Sequence, residues 1–157
     1  EDRSHQPFDL ALQVGGNSLP WARRVYADFG PPAGDILAAS LAAAGEAREA
    51  REVLALAGPL RTDYLFKLFA TLRAMTLVMP GERAGAGELY AALLPCRNAP
   101  PPTPGFTVAV RPLARTLGEL ALLLSRAQEA APHFARAAEI AARWRSPWCA
   151  APVEPGG

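Results

Sequence analysis

Apolar residues recur at helical spacing along most of this chain, and Pro or Gly interrupts them at short intervals. Leu65, Leu68, Phe69, Leu72, Met75 and Val78 share one helix face, as do Leu113, Leu117, Leu120, Leu123 and Leu124. Ile36, Leu37 and Leu41, then Val53 and Leu54, follow the same period. The breakers Gly30-Pro31-Pro32, Gly58-Pro59 and Pro80-Gly81 fall between these runs. Alanine supplies 33 of the 157 residues, a density that favours helix and speaks against an all-β fold.

The runs come in pairs. Residues 35–44 pair with 46–57 across Gly45, 62–79 with 82–94 across Pro80-Gly81, and 110–124 with 128–143 across Ser125-Arg126. Links this short place successive helices antiparallel. Three hairpins in a row suggest stacked repeats. A tetratricopeptide unit has a large-small pair on its first helix, then small, bulky and small residues on its second. Leu117-Gly118 with Ala130, Phe134 and Ala137 fits at the right offsets. Ala86, Tyr90 and Leu93 take the second-helix places in the middle hairpin, and Ala50, Leu54 and Ala57 in the first. In the middle hairpin Arg73-Ala74 replaces the large-small pair. The step from Ala50 to Ala86 is 36 residues and that from Ala86 to Ala130 is 44, so the last unit carries an insertion. The proline-rich loop 98–105 accounts for it.

The expected architecture is all-α: a single domain over 1–157, built as a tetratricopeptide-like right-handed solenoid. Its hairpins are 34–57, 62–95 and 109–143, with 1–30 as an N-terminal cap or degenerate hairpin and 150–157 as a tail. Hydrophobic residues make up 50% of the chain and charged residues 20%, as in a folded domain. The formal charge of +1 gives no field that would draw nucleic acid or an anionic membrane. No apolar run reaches the roughly 18 residues of a spanning helix, and the start lacks a signal-peptide pattern. A cytoplasmic location is the expectation. Glu1 in place of methionine suggests a piece of a longer or processed chain. Cys96 and Cys149 are widely separated and read as free thiols, and no closely spaced pair suits zinc.

The stretch GELYAALLPCRNA, followed by VAVRPLARTLGELALLLSRAQEAAPHFARAAEIAARWRSPWCA, resembles the C-terminal helical-repeat region of large bacterial ATPase-containing regulators of the LuxR and AfsR/SARP kind. In that family an LYELLLPY-like helix end precedes a variable loop, a GPVARALG-like helix, an HFEEAL-like helix and a closing RPW. The matching stretches here are 89–96, 110–118, 133–138 and 146–148, and the likeness covers roughly residues 34–150. Cys96 stands where the family usually has an aromatic residue, and the loop is proline-rich instead of glycine-rich. Nothing here resembles the family's ATPase or DNA-binding modules. The resemblance implies a sensor or interaction module of a transcriptional regulator.

First helices of tetratricopeptide stacks line a concave groove, and the lining positions recur at i, i+4 and i+7. Here those positions include Asp35, Thr71, Met75, Arg115, Glu119 and Leu122, with Ala39, Ala42 and Val78 completing the three sets. Lys67 and Arg111 lie one turn earlier. Arg111, Arg115 and Lys67 are candidates to clamp a carboxylate or an acidic peptide. The plainer alternative is local pairing, for which Arg115 and Glu119 have the i,i+4 spacing. Tyr64 joins the candidates in a second reading, a stand-alone helical protein or biosynthetic enzyme with an apolar small-molecule pocket. Trp144 and Trp148 flank Arg145 and are candidate partner anchors, or pack on the last helix. Trp21, Tyr26, Phe29, Tyr64, Phe66 and Phe69 read as core and cap residues. No nucleophile elbow, Walker loop or His-Glu-x-x-His pattern is present. No catalytic, metal or cofactor assignment follows. The expected partner is a protein, other domains of a parent regulator, or a small molecule.

Overall fold

The computed structural model describes residues 18–98 and 111–144. Residues 1–17 of the expected cap, the whole tail 150–157, most of the 98–105 loop, the start of the third hairpin at 109–110, Trp148 and Cys149 lie outside the described residues, as does the Trp144 side chain. Among the described residues there are seven α-helices and no strand. They are α1 (Leu19–Phe29), α2 (Gly34–Ala43), α3 (Ala47–Leu56), α4 (Phe66–Val78), α5 (Ala86–Leu93), α6 (Leu113–Leu123) and α7 (Ala127–Trp144). The all-α class expected from periodicity is what the described residues adopt.

Helix boundaries depart from the sequence reading where local hydrogen bonding overrides propensity. α4 begins at Phe66, not Thr62, because Asp63 Oδ1 accepts the Leu65 N–H at 3.0 Å while Asp63 O accepts the Phe66 N–H. This Asx-type turn offers the backbone an alternative to helix. α5 begins at Ala86, not Glu82, because Gly85 has φ +77° and therefore stands outside the helix as its cap. α6 begins at Leu113 because Pro112 is extended, with ψ 132°.

One turn occurs three times. After α2, Gly45 N–H donates to Ala42 O at 3.1 Å and Glu46 N–H to Leu41 O at 2.9 Å. After α4, Gly81 donates to Val78 O at 3.1 Å and Glu82 to Leu77 O at 2.8 Å. After α6, Ser125 donates to Leu122 O at 2.9 Å and Arg126 to Ala121 O at 2.8 Å. Each is the double bond pattern that closes a helix through a left-handed residue. The left-handed residues are Gly45, Gly81 and Ser125, with φ of 85°, 75° and 62°. They follow each other at the same 36- and 44-residue steps as Ala50, Ala86 and Ala130, which are all buried.

α2 packs on α3 and α4, α4 on α5 and α6, and α6 on α5 and α7, while α1 covers α2. Two core clusters result. One joins Ala22, Leu37, Ala38, Leu41, Ala50 and Val53, and the other gathers α4 to α7 around Leu89, Tyr90, Leu93, Leu117 and Leu120. Leu54 packs against both. The small positions are where helices meet. A Cβ built on Gly118 falls 2.8 Å from the Phe134 ring, and one on Gly34 falls 2.7 Å from Ala57 Cβ. The aromatics divide differently from expectation. Phe69 is buried, but Trp21, Phe29 and Tyr64 are exposed, because they lie on the outer side of α1 and in the turn before α4.

Candidate functional site

The α6 entry gathers three of the sequence candidates. Pro112 disfavours the helical conformation for the residue before it, so Arg111 precedes the helix and its side chain folds back along it. Arg115 and Glu119 follow on successive turns. Arg111 Nη1 forms an ion pair with Glu119 Oε2 at 2.7 Å, and Arg115 Nε donates to Glu119 Oε1 at 3.1 Å. The three side chains are 13%, 19% and 10% exposed for Arg111, Arg115 and Glu119. One carboxylate therefore faces two guanidinium groups, an excess of one positive charge in a poorly solvated place. Burial pushes the Arg111 guanidinium below its ordinary range, Glu119 opposes this, and the Arg115 charge adds to it. Among the described residues, Arg111 Nε and Nη2 are buried without a hydrogen-bond partner.

Asp35 and Arg73 form the other ion pair of this depth. Arg73 Nε and Nη2 donate to Asp35 Oδ1 and Oδ2 at 2.8 and 2.9 Å, which occupies both groups. Thr71 is buried, and its hydroxyl donates to Lys67 O at 2.7 Å within α4. Met75 is also buried, Lys67 is half-buried and makes no ion pair among the described residues, and Tyr64 and Leu122 are exposed. At the positions expected to line an open groove, Asp35, Ala39, Ala42, Thr71, Met75 and Glu119 are buried instead. The physical reason is that α2 and α4 are inner helices, with apolar residues around most of their circumference and neighbours on several sides.

A second polar cluster lies between α5 and α7, and the sequence reading missed it. The buried Tyr90 hydroxyl is 3.1 Å from Glu129 Oε2 and 3.0 Å from His133 Nε2. A carboxylate only accepts, so the single phenol proton goes to Glu129. His133 Nε2 must then carry the hydrogen that the Tyr90 oxygen accepts. Burial, followed by the Glu129 hydrogen bond and charge, pushes the Tyr90 phenol up. Burial and then the Arg97 charge push His133 down, so the neutral Nε2–H tautomer is favoured and Nδ1 is left as the basic nitrogen. Arg126 stacks over the Tyr90 ring with 5.6 Å to its centroid, and the His133 ring meets that ring edge-on at 5.9 Å. Glu129 and His133 were readable as an i,i+4 pair, but only the packing of α5 on this part of the fold brings Tyr90 to them.

Among the described residues no group of three or more His, Cys, Asp or Glu can hold a metal ion. No helix of the described residues is long and apolar enough to cross a membrane. Cys96 is a free thiol. The chain matches no protein-family model, no curated protein and no solved structure.

Proposed function

We propose that the chain is the sensor or interaction module of a bacterial transcriptional regulator, built as a tetratricopeptide-like right-handed stack and working by binding, in the cytoplasm. The observation that carries this reading is the turn repeated after α2, α4 and α6, in register with the buried alanines Ala50, Ala86 and Ala130. Units that bury their faces on one another form extended binding scaffolds, and their chemistry is recognition. The likeness of residues 34–150 to the helical-repeat region of LuxR and AfsR/SARP regulators supports the same reading. The burial of Asp35, Thr71, Met75 and Glu119 speaks against a peptide laid along these first-helix faces.

Native mass spectrometry of the purified chain tests the reading, with a denatured sample as control. A mass increment of small-molecule size that is lost on denaturation supports a ligand sensor. A chain that carries no such increment and takes up neither small acids nor acidic peptides added at millimolar concentration overturns it.

A further inference from the structure

Arginine offers its most directional pair of donors along one edge, from Nε–H and the Nη2–H beside it. In this chain Arg73 shows that edge in use, with Nε and Nη2 on the two oxygens of Asp35 at 2.8 and 2.9 Å. Arg111 presents the same edge with both nitrogens buried and unpartnered among the described residues, while its Nη1 is held by Glu119 at 2.7 Å. A buried donor left unsatisfied is unfavourable, and more so on a charged group. Arg115 cannot relieve it, because it is a cation with its own Nε on Glu119.

We infer that the Arg111 edge is a binding site for a carboxylate, which is the recognition chemistry of the module proposed above. Three features select this class. The edge is planar and two-pronged, the geometry a carboxylate matches with two parallel hydrogen bonds. Two arginines against one Glu119 leave one positive charge, which a monoanion neutralises and a phosphate dianion exceeds. Glu119 fixes the guanidinium through Nη1, so the fork is held before the ligand arrives. Of the three cations the sequence suggested as a clamp, Arg111 alone keeps its Nε–Nη2 edge buried and without a partner among the described residues. Arg115 acts as a positioning residue through Glu119, and Lys67 has no fork to offer.

The test reads the Arg111 Nε–Hε signal by NMR in the intact chain, assigned through its side-chain carbons. Sodium acetate and sodium benzoate are titrated at ionic strength held constant with sodium chloride, and methyl benzoate serves as the uncharged control. The expected result is a saturable downfield shift of Arg111 Hε with the carboxylates alone. In Arg111→Lys, checked for unchanged helix content by circular dichroism, the carboxylate affinity read from the Arg115 Nε–Hε signal falls tenfold or more below that of the native chain read the same way, because the charge stays while the fork is lost. No carboxylate-dependent shift in the native chain overturns the inference, whether or not the variant folds, and so does an equal shift from chloride. A chain that retains a neutral ligand in native mass spectrometry but does not respond to carboxylates loses this assignment and keeps the module reading. One that binds nothing in either experiment loses both.

Discussion

Arg73 of α4 reaches back to Asp35 of α2 with a two-pronged ion pair at 2.8 and 2.9 Å, and the two side chains are 16% and 6% exposed. Arg73 stands in the repeat position that Leu37 and Leu117 occupy in the flanking hairpins. The pair thus replaces an apolar contact with an ionic one. Removing one partner leaves a buried charge alone, so Asp35→Ala is expected to cost about 3–5 kcal/mol. The double variant Asp35→Ala with Arg73→Leu should recover most of that loss. Urea unfolding of the single and double variants measures both, and a double variant no more stable than Asp35→Ala contradicts the account.

The third turn differs from the other two in one residue. Ser125 holds φ +62° where Gly45 and Gly81 stand in the equivalent places. A left-handed conformation costs a non-glycine residue roughly 1–2 kcal/mol, whereas the exposed contact from Arg83 Nη1 to Ser125 Oγ, at 3.2 Å, contributes less. Ser125→Gly should therefore stabilise the chain by about 0.5–1 kcal/mol, and Gly45→Ala or Gly81→Ala should destabilise it by about 1 kcal/mol. Thermal unfolding of the three variants gives the signs directly.

Gly118→Ala sets two effects against each other. Alanine improves helix propensity by about 1 kcal/mol, but the new methyl lies 2.8 Å from Phe134 ring atoms, and overpacking costs about 1–3 kcal/mol. A net loss of about 1 kcal/mol is expected. In a Phe134→Leu background the clash is relieved, and the same substitution should become neutral or stabilising. An unchanged loss in that background shows that Phe134 is not the cause.

His133 gives the fold a pH dependence. Its native pKa lies below the ordinary 6.5 through burial and the Arg97 charge. Between 6.5 and the depressed native value, the unfolded chain binds the proton more readily than the native one. Stability from this group is present above that window and is lost as pH falls through it. Arg97→Gln should raise the His133 pKa and soften the loss. Imidazole signals followed by NMR from pH 8 to 4 report the pKa, and no upward shift in Arg97→Gln rules out Arg97 as a cause.

Tyr90→Phe removes the hydroxyl that joins Glu129 to His133 without removing the ring. The variant should lose about 1–3 kcal/mol of stability, because His133 Nε2–H is left without its acceptor. A change under 0.5 kcal/mol in urea unfolding means that water replaces the hydroxyl at no net loss.

The helices were legible because their apolar spacing is regular, and the buried alanines Ala50, Ala86 and Ala130 were legible because each stands five residues after a turn residue, Gly45, Gly81 or Ser125. The starts of α4 and α5 were not, since a single side-chain bond from Asp63 and a single left-handed Gly85 decide them. Arg115 and Glu119 were readable as a pair by spacing within one helix. Arg111 with Glu119 was harder to read, because Arg111 precedes the helix and folds back along it. Asp35 with Arg73, and Tyr90 with His133, are 38 and 43 residues apart. Such pairs form between hairpins, where local periodicity carries no information. The burial of the expected groove positions follows from how many neighbours α2 and α4 have, which is also a property of the assembled chain.

Ala38, Ala39 and Ala42 on α2, Ala70 and Ala74 on α4, and Ala114 and Ala121 on α6 are among the 14 alanines of the 26 buried hydrophobic residues described. Alanine has no side-chain torsion to freeze, so ordering this interior sacrifices little rotamer freedom. It also removes little hydrocarbon from water for each residue placed inside. The heat capacity released on unfolding should then fall below the usual value of about 12–15 cal/mol/K per residue. The stability of such a chain changes slowly with temperature, and its fold tolerates cooling and warming over a broad range at a modest maximum.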